Sequence, residues 1–310
     1  MTTDVRSAST TPASTNPVPT TPALELGLLL VLATLWSVSY SFMKLAVATI
    51  PPVTLIEART LIAAVLLLAL MRLRGAALPT DGATWRRFLV QACLNSVIPF
   101  TLIAWGQQSV DASLAVILNS TSPIFAFLMT LLIARSEPVT GRKLFGVVAG
   151  LVGICLIMGF QALSGVGEAL LAQGAIVLAT VCYAGAAIFG RSFKDLDPMA
   201  PATGSLVCGA LVLAPLSLAI DRPWTLAPST ESIAALLGLS VFSTAVALVL
   251  YFRLVRTLGS IGTTAQSYLR VPIGVAIATL GLGESLSSTA WLGFACVIAG
   301  VLAMTLPSRR

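Results

Sequence analysis

The sequence predicts an all-α integral membrane protein of ten transmembrane helices, arranged as two inverted five-helix repeats with both termini in the cytoplasm. Three observations predict it. The 310-residue chain is 57% hydrophobic and only 10% charged, whereas a soluble domain carries about a quarter charged residues. Its apolar runs reach roughly 20 residues, the length that crosses about 30 Å of hydrocarbon. Its Lys and Arg collect in alternate connections between those runs, as cytoplasmic loops do.

The first 22 residues are rich in Thr, Ser, Pro and Ala and hold almost no large apolar side chain. Such a segment cannot bury enough surface to fold and is expected to be a disordered cytoplasmic tail. A polar stretch stands where a signal peptide would have its short basic start, and the first apolar run is long enough to span, so the first helix is expected to stay in the protein. The spans are expected at Leu24–Val47, Pro52–Met71, Trp85–Trp105, Ala112–Ala134, Leu144–Gly159, Ala169–Phe189, Met199–Ile220, Ile233–Tyr251, Thr263–Gly283 and Trp291–Leu306. Short breakers separate them, among them Pro51-Pro52, Glu137-Pro138 with Gly141, and Asp197-Pro198. The first repeat occupies residues 23–160 and the second 161–310.

With the N-terminus inside, the cytoplasmic segments hold Arg6; Arg72, Arg74, Arg86 and Arg87; Arg135, Arg142 and Lys143; Arg191 and Lys194; Arg253 and Arg256; and Arg309 and Arg310. The opposite side holds only Lys44 and Arg222, and Arg59 and Arg270 lie within helices, which accounts for all 18 basic residues. A miscounted helix would scramble this asymmetry beyond the error, so its persistence supports both the count and the direction. The net charge of +6 therefore reflects topology in a lipid bilayer, the cell's inner (plasma) membrane, and no basic stripe suggests nucleic acid. Cys93, Cys155, Cys182, Cys208 and Cys296 all lie inside apolar runs, with no disulfide frame or zinc spacing. No metal or cofactor is expected.

The two halves echo one another. Val31-Leu32-Ala33-Thr34 recurs as Val177-Leu178-Ala179-Thr180, an offset of 146. Glu137 is followed nine and sixteen residues later by Gly146 and Gly153, and Glu284 likewise by Gly293 and Gly300, an offset of 147. A proline is expected to interrupt the preceding helix in each half, Pro123 in the fourth and Pro272 in the ninth, an offset of 149. Three nearly equal offsets point to duplication. An odd number of spans per half inverts the second copy, and inverted repeats are a transporter design with the substrate site near the midplane.

The chain resembles the EamA family of the drug/metabolite transporter superfamily. The resemblance rests on Trp36-Ser37 followed by Phe42 and Lys44, and on the blocks Pro123 to Gly153 and Pro272 to Gly300 with their glutamates and glycines. It covers essentially everything after the tail. It implies a ten-helix transporter with both termini inside, often an exporter of amino acids or other metabolites, with its cavity between the halves. The sequence departs where many relatives place an acidic residue just before the ninth-helix proline. Here the run is Tyr268-Leu269-Arg270-Val271-Pro272, which speaks against a proton-driven exporter of cations.

Charges in hydrocarbon are costly, a central Arg by roughly 2.5 to 3.5 kcal/mol on insertion scales, so each needs a partner or a water-filled cavity. Arg270, about 10 Å into its helix at 1.5 Å per residue, is the sharpest case. Gln266 lies one turn away, and Pro272 frees the Tyr268 carbonyl. This stretch is expected to hold an anionic group of a small-molecule substrate, a carboxylate, by bidentate hydrogen bonding. The alternative is a structural arginine paired with Glu57 or with helix-end carbonyls. The repeat register sets Asn119 opposite Tyr268 and Thr121 opposite Arg270, making Asn119, Thr121 and Ser122 a candidate fourth-helix wall of the same cavity. Their other reading is interhelical packing. Asn95, and the aromatic rings of Trp36 and Tyr183, have the same two readings, cavity lining or core.

Glu57 and Arg59 are two apart and point to different faces, so each wants a partner elsewhere. Glu57 is the best candidate for a coupling proton, since the chain has no histidine and the other acids lie at helix ends or in loops. Lys44 is expected to snorkel from the outer end of the first helix. Glu137 and Glu284 are expected to fix turns. Gly146 and Gly150 have a small-xxx-small spacing that admits a close backbone, either within the protein or in an oligomer of undetermined size. An intramembrane enzyme would need a nucleophile with its base, paired aspartates or metal ligands, and none of these patterns is present. The expected activity is transport of small metabolites by alternating access, export of amino acids or related carboxylates first. Exchange or uptake of another organic solute is the alternative.

Overall fold

A computed structural model of the protein describes residues 22–129, 131, 141–158, 168–264 and 266–305, and these are helices joined by short connections, with no strand among them. The expected N-terminal tail before Pro22 and the turn with Glu137 and Pro138 lie outside the described residues. Seven helical stretches are long and apolar enough to cross a membrane: Ala23–Ala46, Pro52–Leu73, Gly82–Gly106, Ala112–Met129, Ala169–Phe193, Met199–Asp221 and Thr230–Val255. Three shorter apolar helices, Leu144–Leu156, Leu269–Gly281 and Ser288–Gly300, fall where the fifth, ninth and tenth spans are expected. The protein is a multi-pass membrane protein.

In chain order the α-helices are α1 (Pro22–Ala46), α2 (Pro52–Leu73), α3 (Gly82–Ala92), α4 (Ile98–Gly106), α5 (Ala112–Asn119), α6 (Ser122–Met129), α7 (Gly141–Met158), α8 (Glu168–Gly190), α9 (Met199–Leu216), α10 (Thr230–Ser240), α11 (Ala247–Thr264), α12 (Gln266–Gly281) and α13 (Ser288–Thr305). The helices outnumber the apolar runs because three runs are interrupted. A π-helical turn over Cys93–Val97 joins α3 to α4 two residues before Pro99, which has no N–H to give and whose ring crowds the preceding turn. A second π-helical turn, Val241–Val246, joins α10 to α11. Between α5 and α6 the helix breaks at Ser120 and Thr121, and Pro123 falls in the first turn of α6, where a missing N–H needs no partner. The hydroxyls of Ser120, Thr121 and Ser122 donate to the carbonyls of Ile117, Leu118 and Asn119 at 2.6, 2.7 and 2.9 Å. Pro272 behaves differently from the expectation: α12 runs straight through it. Two residues before the proline, the Arg270 carbonyl of the same helix stands 2.6 Å from the Ser37 hydroxyl of α1.

Large apolar side chains lie on both sides of the bundle wall. Leu55, Ile56, Leu67, Phe88, Ile117 and Leu239 are buried, while Leu26, Phe145, Leu211, Ile220 and Leu280 are exposed. Outward leucines and isoleucines on this scale would be an aggregation hazard in water and are the surface a lipid solvent requires.

The packing pattern has an exchange property. α2 packs on α9, and α7 on α13 in the most extensive pairing. α1 packs on α12 as α8 packs on α5 and α6, and α4 packs on α8 as α10 and α11 pack on α1. Exchanging the segments before residue 160 with those after it leaves this list unchanged. The α7–α13 seam shows it at atomic scale. A Cβ on Gly153 would stand 2.7 Å from the Gly293 carbonyl oxygen, and one on Gly300 would stand 2.6 Å from the Gly146 carbonyl oxygen. The glycine spacing shared by the two halves therefore serves a contact within the chain, backbone against backbone.

Connections 47–51, 107–111 and 222–229 meet at one end of the bundle together with Glu284. Thr49 and Ser229 are in contact, with the Ser229 N–H donating to the Thr49 hydroxyl at 3.1 Å. The Thr54 N–H and hydroxyl donate to Asp221 at 2.8 and 2.9 Å, capping α2 from the end of another segment. At the opposite end, Glu25 is buried and accepts from the Thr257 hydroxyl at 2.7 Å, with Arg253 3.8 Å away. Both ends are thus held by carboxylates that accept from another segment, which leaves the polar residues between them to be explained.

Candidate functional site

Four polar side chains converge inside the bundle from α1, α2, α8 and α12. Arg270 of α12 donates through Nη2 to the Tyr40 hydroxyl of α1 at 2.9 Å, with its guanidinium carbon 5.7 Å from the Tyr40 ring centre. Arg59 of α2 is 5% exposed, and its Nε donates to the Thr244 hydroxyl at 2.9 Å. Its guanidinium carbon lies over the Phe100 ring, 3.8 Å from the centre, a cation–π contact. Phe100 in turn meets Tyr183 of α8 edge to face, with ring centres 6.4 Å apart. The Tyr183 phenol is within electrostatic reach of Tyr40, Arg59 and Arg270 together.

Local irregularities set these positions. The π-helical turn at Val241–Val246 lets the Thr244 hydroxyl donate to the Leu239 carbonyl, five residues back, at 2.8 Å. That hydrogen bond orients the oxygen lone pairs toward Arg59. The Ser37 hydroxyl stands 2.6 Å from the carbonyls of both Ala33 and Arg270, which share its proton, and so links α12 to α1 one turn before Tyr40. α5 and α12 cross where Gly274 faces Val116, at 2.9 Å from a Cβ to the valine side chain. One turn inward from that crossing stand Asn119 on α5 and Arg270 on α12, at the same depth to within about one helical rise. Asn119 is buried, and its Oδ1 makes no hydrogen bond among the described residues.

No carboxylate among the described residues lies within 4.0 Å of either guanidinium. Glu57 is half-buried on α2 and pairs with neither. The alternative of an Arg270–Glu57 pair is therefore not what forms; Arg270 turns to a phenol. Two guanidiniums present planar forks of donors, and neutral phenols, an amide and a hydroxyl surround them, a donor-rich environment suited to an anion.

The remaining expected residues are placed as follows. Gln266 is buried one turn before Arg270 on α12. Tyr268 lies in the same helix, and its side chain is outside the described set. Thr121 and Ser122 spend their hydroxyls on the α5–α6 break. Trp36 is tilted against Tyr251 of α11, with ring centres 5.5 Å apart, one turn from Tyr40 on the same face. Asn95 is exposed on the Cys93–Val97 turn and is not brought to the cluster. Lys44 caps a helix end: its Nζ donates to the carbonyls of Gln107 and Val110, each at 3.0 Å, with Asp111 3.8 Å away. Glu284 accepts from the N–H groups of Ala112 and Ser113, both at 2.8 Å, and so caps α5 rather than its own helix. Tyr40, Phe100 and Thr244 were not singled out from the sequence. Tyr40 had a usable signal, its four-residue spacing from Trp36 and its unusual polarity in an apolar run.

Comparison with known proteins agrees with this architecture. The EamA-like transporter family matches residues 24–159 and again residues 170–306. The inner membrane transporter YedA of Escherichia coli K12 is 28% identical over 283 residues, covering 90% of each chain. The transporter YoaV of Bacillus subtilis 168 is 22% identical over 278 residues, covering 89% of this chain and 94% of its own. A transporter of Archaeoglobus fulgidus is 28% identical over 281 residues, covering 87% and 93%. A protein crystal structure shares the fold at a TM-score of 0.63 and 14% identity, over 91% of this chain and 97% of that one.

Proposed function

Because the chain belongs to the EamA-like transporter family, we propose that it moves small carboxylate-bearing metabolites, amino acids or their relatives, out of the cell by alternating access. The observation that carries the cargo assignment is the pair of guanidiniums, Arg59 and Arg270, held by phenol, hydroxyl and ring contacts with no described carboxylate beside them. Arg59 is buried and Arg270 half-buried, and cations in membrane segments left without a counter-ion are unfavourable until an anion arrives and mark solute pathways.

Ten spans in two inverted halves, with both termini cytoplasmic in the inner membrane, are the frame in which this works. Supporting it are the two successive family matches, the exchange property of the packing and the loop distribution of Lys and Arg. The site then lies between the halves near mid-depth, where α1 and α2 of the first meet α8 and α12 of the second. Glu57, two residues from Arg59 and half-buried, is the carboxylate suited to carry a coupling proton.

Counterflow tests this. Purified protein in proteoliposomes preloaded with an unlabelled amino acid or carboxylate should accumulate the labelled solute, and an imposed proton gradient should change the rate. Arg270→Gln should abolish the exchange. If no carboxylate exchanges while neutral or cationic solutes do, and Arg270→Gln leaves that traffic unchanged, the cargo assignment fails.

A further inference from the structure

From the charge balance of the cluster we infer that its preferred cargo is a small organic dianion, carrying two carboxylates or one phosphoryl group, rather than a zwitterion. This rests on the reading of the cluster as the cargo site. The chain brings two permanent positive charges into one interior region, Arg59 and Arg270, both in electrostatic reach of the same Tyr183 phenol. Arginine does not shed its proton in proteins, so neither charge can be removed by titration. Around them the described side chains are neutral: Tyr40, Tyr183, Phe100, Thr244, and Asn119 at the depth of Arg270.

A zwitterionic amino acid brings one carboxylate and one ammonium. The carboxylate would satisfy one guanidinium, but the ammonium would then face the second with no carboxylate to receive it. Like charges at close range in a low-dielectric interior repel, and the site would keep a net charge of two positive units. A dianion removes both excess charges and engages both forks. Phe100, Tyr40 and Tyr183 give the two guanidiniums aromatic surroundings, with which the short carbon chain of such a cargo is compatible.

The test uses the wild-type protein in detergent and a matched series of ligands. Glutarate and succinate carry two carboxylates, valerate and butyrate carry one on similar chains, γ-aminobutyrate and glycine are zwitterions, and glycerol phosphate carries a phosphoryl group and no carboxylate. Apparent Kd is read from ligand-dependent thermal stabilisation and from inhibition of counterflow. A dianion should bind at least about tenfold tighter than the monoanion of equal chain length, the scale of one modest charge-assisted contact. Arg59→Gln and Arg270→Gln should each reduce that ratio toward one. Should one of these variants fail to fold, the wild-type ligand series still decides. Glycerol phosphate binding with no dicarboxylate response assigns the pair to one converging phosphoryl group, and the reverse assigns it to two separated carboxylates. Zwitterions binding as tightly as dianions overturn the inference and leave the carboxylate-transporter reading standing. If no anion of any class binds, that reading fails as well.

Discussion

The Arg270 guanidinium and the Tyr40 hydroxyl, 230 positions apart in the chain, are 2.9 Å apart in the fold. Tyr40→Phe removes the acceptor and leaves the ring in place. A hydrogen bond to a charged group contributes about 1.5–3 kcal/mol, so the substitution should lower the Tm and weaken cargo binding about tenfold or more. Thermal unfolding and counterflow KM measure the two effects separately. A variant with unchanged KM would place Tyr40 in the scaffold alone.

Thr244 makes a parallel case. Its hydroxyl is the acceptor for Arg59 Nε, and Thr244→Val is nearly isosteric but leaves a buried charged donor unmet. The expected cost is about 1–3 kcal/mol, read as a lower Tm, with Thr244→Ser recovering most of it. Equal Tm in Val and Ser variants would show that Arg59 finds another acceptor.

Glycines separate by what surrounds them. Gly300→Ala sets a methyl 2.6 Å from the Gly146 carbonyl oxygen and 2.9 Å from the Gly150 nitrogen, and a backbone cannot yield as a side chain does. Overpacking of this kind costs about 1–3 kcal/mol. Gly174→Ala meets nothing within 4 Å, and alanine's better helix propensity should stabilise α8 by about 0.5–1 kcal/mol. The sign difference between the two variants, measured by thermal unfolding, is the prediction.

Glu284→Ala should loosen a helix it does not belong to. Losing both carboxylate contacts to the Ala112 and Ser113 N–H groups should cost about 0.5–2 kcal/mol, the range for a lost N-terminal cap. Amide hydrogen exchange should rise in the first turn of α5 while α13 stays protected.

Asp81 supplies a pH dependence outside the membrane. Its Oδ1 accepts from the Thr84 N–H at 2.7 Å at the start of α3, and that hydrogen bond holds the carboxyl below its ordinary range. Because the folded value is the lower one, the stabilisation is complete above the unfolded carboxylate range of about 3.9 and disappears as pH falls through the folded value. Asp81→Ala should therefore lower Tm slightly at neutral pH and converge on the wild type in acid.

Much of this was legible in the sequence, and the parts that were not share a cause. Seven apolar runs reappear as helices long enough to span because backbone satisfaction in lipid leaves little choice. Arg59 and Arg270 could be singled out because a charge in hydrocarbon is expensive wherever it is. Their partners could not, because an i,i+4 pattern reports neighbours on one helix, whereas Tyr40 and Thr244 arrive from others. Glu284 looked like the end of its own helix, since a cap supplied across segments has no spacing to recognise. The π-helical turn under Thr244 adds one residue to a hydrogen-bonded ring and leaves hydropathy untouched. Pro272 misled in the other direction: a missing donor suggested a break, yet α12 continues through it.

The seam between α7 and α13 has a mechanical consequence. Ordinary helix pairs slide by letting side chains hop between rotamers, which lubricates the contact. Gly153 on Gly293 and Gly300 on Gly146 have no rotamers to change, and any sliding step would drive one backbone into the other. The pair is therefore a stiff strut that can tilt as a unit but not shear.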